Sequence, residues 1–170
     1  MERWQLASYP RLRAQRAVVV INRLATLVPP RVCAAVLRIW LAGWCSARRF
    51  GSTGSCVCCS LAGSDSVAHA SVCRALADFG SQHLGLARHG IPDDRRLHFL
   101  LLESASQLCD SKLILGAIRV SAAYRVHCRL RRKGQDRGNR EMVMRALAQA
   151  AKESVLGHAA AFLYDARFTY

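Results

Sequence analysis

The sequence predicts a mainly α fold, a helical scaffold interrupted by one small cysteine-bearing module. Three observations predict it. Apolar residues recur at three- and four-residue intervals over most of the chain. Proline, glycine and Ser/Asp/Asn positions fall where helices would start and stop. One Gly/Ser-rich stretch lacks large apolar side chains yet carries clustered cysteines. With 170 residues, 52% of them apolar, the chain has room for one modest domain and can bury a core, which excludes a disordered basic tail.

The elements follow in order. Arg11–Leu27 carries apolar residues at helical spacing, and Pro29-Pro30 ends it and opens the next helix at a favoured first-turn position. Val32–Trp44 is a second helix, with Val32, Val36, Ile39, Trp40 and Gly43 roughly on one face. Gly51, Gly54 and their serine neighbours mark irregular backbone. Ser64 or Asp65 is a plausible N-cap for a helix to about Leu84, and Asp93 for another to about Cys109. Asp110 or Ser111 would begin a third, reaching about Lys133. After the polar loop Gly134–Asn139, Asn139 caps a final helix to about Tyr164. The short runs Val18–Ile21 and Leu113–Leu115 read equally well as buried strands.

Charge is unevenly distributed. Residues 1–50 hold nine Arg against one acid, a net of +8, and residues 119–170 hold eleven basic against four acidic groups, a net of +7. Residues 51–73 hold a single Asp, and residues 74–118 balance at five of each sign. The formal total is +14, and the two basic arms point to phosphates or an anionic membrane surface. The aromatic content of 7% argues against a surface built mainly for stacking bases. The longest apolar stretches, Ala17–Ile21 and Val32–Trp44, fall short of the ~20 residues a bilayer requires, so no transmembrane segment is expected. The N-terminus lacks a signal-peptide pattern. The expected location is therefore intracellular, the nucleus included, and not secreted, and the eight cysteines are expected to be thiols or metal ligands.

The chemically specific feature is Cys56-Val-Cys58-Cys59 followed by Asp65-Ser-Val-Ala-His69 and Cys73. Cys56, Cys59, His69 and Cys73 spell C-x2-C-x9-H-x3-C. Two cysteines separated by two residues turn both sulfurs toward one ion from a tight knuckle, and a His and Cys four apart share a helix face. Three thiolates and one imidazole complete a closed tetrahedral shell for one structural Zn2+, with no position left for a catalytic water. The fold class is thus a helical scaffold with a small inserted zinc-knuckle-like module. Such an ion supplies on the order of 10–16 kcal/mol of coupled binding and folding, which a stretch this poor in apolar side chains needs. Cys58 can replace Cys59 in the same register, and a set of merely packed thiols is the rival reading. Cys33, Cys109 and Cys128 have no such partners and read as core thiols.

The wider segment has a resemblance. Val28-Pro-Pro-Arg-Val32, then Leu41-Ala-Gly-Trp-Cys-Ser-Ala-Arg-Arg-Phe50, then the knuckle with Asp65-Ser-Val-Ala-His69 and Cys73, resembles the region after the polymerase domain of non-LTR (LINE-type) retrotransposon reverse transcriptases. It covers about residues 1–80. The resemblance implies Cys56, Cys59, His69 and Cys73 as metal ligands, a thumb-like remnant before them, and a role in holding RNA or DNA. The extra Cys58 departs from the family pattern, and no polymerase aspartate pair is present. The chain then divides into a basic helical hairpin (1–50), the knuckle with its following helix (51–90), and a helical C-terminal region with a basic patch (91–170).

That patch is the remaining feature. Arg125, Arg129 and Arg132, at spacings of four and three, share a helix face that could track a phosphate backbone, with Lys133 beside them. Arg48 and Arg49 flank the knuckle as further candidate nucleic-acid contacts. Cations at that end of a helix also suit its dipole, a purely structural benefit. Trp40 and Trp44 read as core anchors. Catalysis is not expected. Asp93-Asp94 sits where acids favour a helix N-terminus, and Asp93, Asp110 and Lys112 have only the residue types of a PD-(D/E)xK-like, metal-dependent nuclease. The expectation is a non-catalytic, zinc-dependent nucleic-acid-binding fragment. The alternatives are a helical interaction protein with packed free cysteines, and a nuclease remnant.

Overall fold

The computed structural model describes residues 10–41, 43–44, 46, 54–87, 92–103, 109–132 and 139–165. These residues form α1 (Pro10–Leu27), α2 (Pro30–Trp40), α3 (Val67–Val72), α4 (Arg74–Leu84), α5 (Pro92–Phe99), α6 (Asp110–Arg132), α7 (Arg140–Val155) and α8 (Ala160–Asp165). No strand occurs among them. The runs Val18–Ile21 and Leu113–Leu115 are helical.

The axis of the fold is α6. From Leu113 to Ala123 every residue is buried, so this part of the helix keeps no polar face and has to be surrounded. It packs against α1, α2, α4, α5, α7 and α8. Burial on all sides explains why Leu113–Leu115 reads in sequence as a continuous apolar run. Gly116 leaves room for the Leu101 side chain, since a Cβ there would lie 2.4 Å from Leu101 Cδ2. Residues of all three sequence segments, from Val20 to Tyr164, share one hydrophobic core. Deep in it, the Ser121 and Ser154 hydroxyls bond each other at 2.9 Å across α6 and α7.

Four helices are shorter than the sequence suggests, each for a local reason. At the end of α2 the Gly43 amide turns back onto the Arg38 carbonyl at 2.6 Å. Trp44 therefore leaves the helix and packs, 2% exposed, beside His127 and Tyr124. The Trp40 indole donates to the Leu100 carbonyl. The helix expected from residue 64 or 65 to Leu84 is split at Cys73, whose ψ of 123° is extended. Its N-cap is Ser66, which accepts from the His69 amide at 3.0 Å.

After Phe99 the chain must bury Phe99, Leu100, Leu101 and Leu102 in succession, which a helix with one apolar face cannot do. Instead α5 ends, and Leu101 takes a left-handed φ of 60°. In the last expected helix Asn139 caps as predicted, accepting from the Glu141 amide. Gly157, at φ 74°, then separates α7 from α8. The Tyr164 hydroxyl returns α8 onto α7 by donating to the Ala148 carbonyl.

Candidate metal centre and basic groove

The knuckle closes on itself before it meets any helix. The Ser60 amide donates to the Cys56 carbonyl at 2.8 Å, and the Cys56 amide to the Leu61 carbonyl at 3.0 Å. That double clamp puts Cys56 and Cys59 on the same side of a turn. The knuckle then faces α3 and the break behind it, where His69 and Cys73 are displayed. The extended conformation at Cys73 places its sulfur just past the helix, whereas the sequence implied a shared helix face.

Cys56, Cys59, His69 and Cys73 bring four ligand atoms to within 4.8 Å of one another, and together they could hold a metal ion. The Cys56 and Cys73 sulfurs are 3.9 Å apart, and Cys59 Sγ is 3.2 Å from His69 Nε2. A tetrahedral ion with bonds of about 2.3 Å to sulfur and about 2.0 Å to nitrogen has edges of about 3.8 and 3.5 Å. The cage therefore fits a single ion. Cys59, and not Cys58, belongs to this group. The Cys58 side chain is buried and hydrogen-bonded to the Cys56 sulfur.

The electrostatics of the group favour a cation. Hydrogen bonds from Cys58 and then Cys73 hold the Cys56 thiol far below its usual value. Cys73, followed by a backbone amide, brings Cys59 down to about 6 against the opposing burial. Cys73 is pushed up, first by Cys56 and then by Cys59, and Cys58 is pushed up by Cys56 and by burial. His69 rises to about 9 beside Cys56. Crowded sulfurs share too few protons, and a dication relieves that crowding by binding the deprotonated ligands.

The loop carrying this group is tied to the scaffold by a residue whose role the sequence misjudged. Asp65 is no N-cap. Its carboxylate is buried, accepts from Arg131 of α6 and lies 3.8 Å from His127 Nδ1. Arg131 thus points inward while its neighbours Arg129 and Arg132 are exposed. No sequence signal links positions 65 and 131, which are far apart in the chain.

The proposed phosphate face is partly engaged within the protein. Arg125 lies 2.5 Å from Glu153 of α7, and Arg129 is 3.7 Å from the same carboxylate. Arg132 is exposed at the end of α6. Arg48, Arg49 and Lys133 lie outside the described residues. So does Cys45.

A larger basic feature was missed. Arg31 and Arg38 of α2 join Arg125 and Tyr124 of α6 and Glu153 of α7 around a groove of about 390 Å³. The Arg38 guanidinium lies over the Tyr124 ring, 5.3 Å from its centroid. Arg31 is bonded to the Ser154 and Leu156 carbonyls at the C-terminal end of α7, where cations suit the helix dipole. The helical period alone puts Arg31 and Arg38 on one face of α2; only packing puts that face beside Arg125.

The other candidates fall at helix starts. Asp110 and Lys112 share the first turn of α6, where Asp110 pairs with Arg23, and Asp93 falls in the first turn of α5. Cys109 is exposed, because it immediately precedes α6, and Cys33 and Cys128 are half-buried. No described helix is long and apolar enough to cross a membrane. No protein-family model, curated protein or solved structure matches the chain.

Proposed function

We propose that this chain is a non-catalytic, zinc-dependent nucleic-acid-binding fragment, similar to the post-polymerase region of a LINE-type reverse transcriptase. The observation that carries the reading is the convergence of Cys56, Cys59, His69 and Cys73 within 4.8 Å. Three thiolates and one imidazole are soft and borderline donors, the set zinc takes in closed structural sites. The ion would staple the 54–66 loop onto α3 and the break before α4, and no ligand position would remain for chemistry. The same donor set needs reduced thiols, in keeping with an intracellular, nuclear or cytoplasmic, setting.

The nucleic-acid part of the reading rests on charge. Arg31, Arg38 and Arg125 outnumber Glu153 in the groove, and Tyr124 supplies a ring face under Arg38. A phosphate backbone of RNA or DNA would add a counter-charge that Glu153 alone does not provide, releasing counterions as it binds.

Native mass spectrometry with and without chelator, paired with binding of labelled RNA and duplex DNA across a salt series, tests both halves. The expected result is one zinc per chain, lost in Cys73→Ser, and an affinity that falls steeply with salt. A metal-free chain whose fold is indifferent to chelator would instead support cysteines that only pack, and a flat salt response would remove nucleic acid as the partner.

A further inference from the structure

A second candidate site lies against α4, next to the metal centre, since Cys73 also lines it. Between α3, α4, α5 and α6 is a pocket of about 240 Å³, lined by Val72, Leu76, Ala77, Phe99 and Arg119 among others. Val72, Leu76, Ala77 and Phe99 give it an apolar part, Ser71, Cys73 and His98 a polar one, and Arg119 sits in the middle of the buried stretch of α6, 4% exposed. Arg119 Nη2 donates to the His98 carbonyl at 3.0 Å, and its Nε is buried with no hydrogen-bond partner. Among the described residues no carboxylate comes within ion-pair distance of it. Glu103 acts on it only through its field, and bonds His98 Nδ1 instead.

A buried guanidinium with an unpaired donor is costly, and an acidic ligand in the adjoining pocket would satisfy both its charge and that donor. The fold also makes room for it. At Gly80 of α4 a Cβ would lie 3.1 Å from Arg119 Cδ and 3.3 Å from its Nη1. The face of Phe99 supports the guanidinium at 5.0 Å. Burial pulls Arg119 down to about 10, opposed by Glu103, which leaves it a cation at neutral pH. Two further charged residues line the pocket, Arg74 at its exposed edge and Asp78, whose carboxylate is bonded by Arg140.

From this geometry we infer that the pocket binds a small organic carboxylate, its acid group on Arg119 and its apolar body against Phe99, Leu76 and Ala77. One deep cation beside an apolar wall, with a few polar groups around it, matches the usual composition of a small-molecule site. A guanidinium recognises a carboxylate through paired N–H donors, and the low-dielectric wall strengthens that bond. The residues involved are distinct from those of the α2/α6/α7 groove, so the inference stands whether or not nucleic acid binds there.

Calorimetric titration of the zinc-loaded full chain at fixed ionic strength tests it, with benzoate as the probe, benzamide as its neutral counterpart and inorganic phosphate as a bare oxyanion. The expected result is saturable benzoate binding, with benzamide and phosphate weaker by about tenfold or more. Arg119→Met, which replaces the buried charge by a side chain of similar volume, should lose benzoate by the same factor. Ala77→Phe leaves Arg119 in place but fills the pocket from its half-exposed rim, and should lose benzoate while keeping its zinc. No saturable binding, equal binding of benzamide, a preference for phosphate, or benzoate affinity unchanged in either folded variant would overturn the proposal.

Discussion

The carboxylate of Asp65 accepts from Arg131, joining the loop of the candidate metal centre to the last turns of the central helix. Asp65 is 2% exposed at its side chain and Arg131 26%, so the two partners stand in different dielectric surroundings. Removing Arg131 takes the guanidinium from a buried carboxylate that lies 3.8 Å from His127, whereas removing the Asp65 charge leaves a guanidinium that can turn to water. Arg131→Ala should therefore cost about 3 kcal/mol and Asp65→Asn about 1 kcal/mol. Urea unfolding of the two zinc-loaded variants measures both, and the reverse order would show that Arg131 does not hold the carboxylate.

The cage distinguishes Cys59 from Cys58. Cys59→Ser should abolish stable zinc binding, as should Cys56→Ser, because a structural zinc site does not hold with a missing thiolate. Cys58→Ala should keep one zinc per chain and lose only a buried thiol, at a cost of about 1 kcal/mol or less. Zinc stoichiometry by native mass spectrometry separates the two. Metal retained in Cys59→Ser and lost in Cys58→Ala would reverse the register.

For the groove, charge removal is cleaner at Arg38 and Arg125 than at Arg31, which also caps α7. Arg38→Gln and Arg125→Gln should each weaken binding to RNA and duplex DNA without regard to sequence. Each should also lower the salt slope by about 1 for duplex DNA. Arg125→Gln carries a side effect, since it frees Glu153 toward the ligand. Slopes identical to the parent in both variants would place any phosphate contact elsewhere.

Tyr164 gives the stability a pH dependence on the alkaline side. Burial, with the charge of Asp165, raises its hydroxyl above the ordinary 10.0. A raised value in the folded chain means that the contribution is complete below pH 10 and is lost as pH rises through the folded value. Tyr164→Phe should cost about 1 kcal/mol at neutral pH through the lost bond to Ala148, and should flatten the decline above pH 10. Urea midpoints measured on either side of that pH show both effects. A decline equally steep in the variant would assign it to other groups.

Much of the local order is legible in the residues. Pro30, Asn139 and Asp110 mark helix starts because a fixed φ, a capping oxygen and a favourable charge act within one turn. The quartet Cys56, Cys59, His69 and Cys73 is legible because a knuckle and a four-residue spacing are short-range geometry, although Cys73 reaches the group from the break after α3 and not from a shared helix face. Where a helix stops was less legible. The break at Cys73 and the turn at Leu101 answer to what must be buried or brought together, which spacing along the chain does not express.

Taken alone, the order of residues determined a helical protein with a strongly cationic surface and a four-ligand cluster, since propensity, capping and net charge are properties of neighbours or of sums. The tertiary structure decided which arginine faces inward to Asp65, which three helices line the groove, and that Arg119 is buried beside a pocket. Those outcomes depend on how α6 is enclosed, and a helix buried on every side hides in its pattern which neighbour each residue will meet.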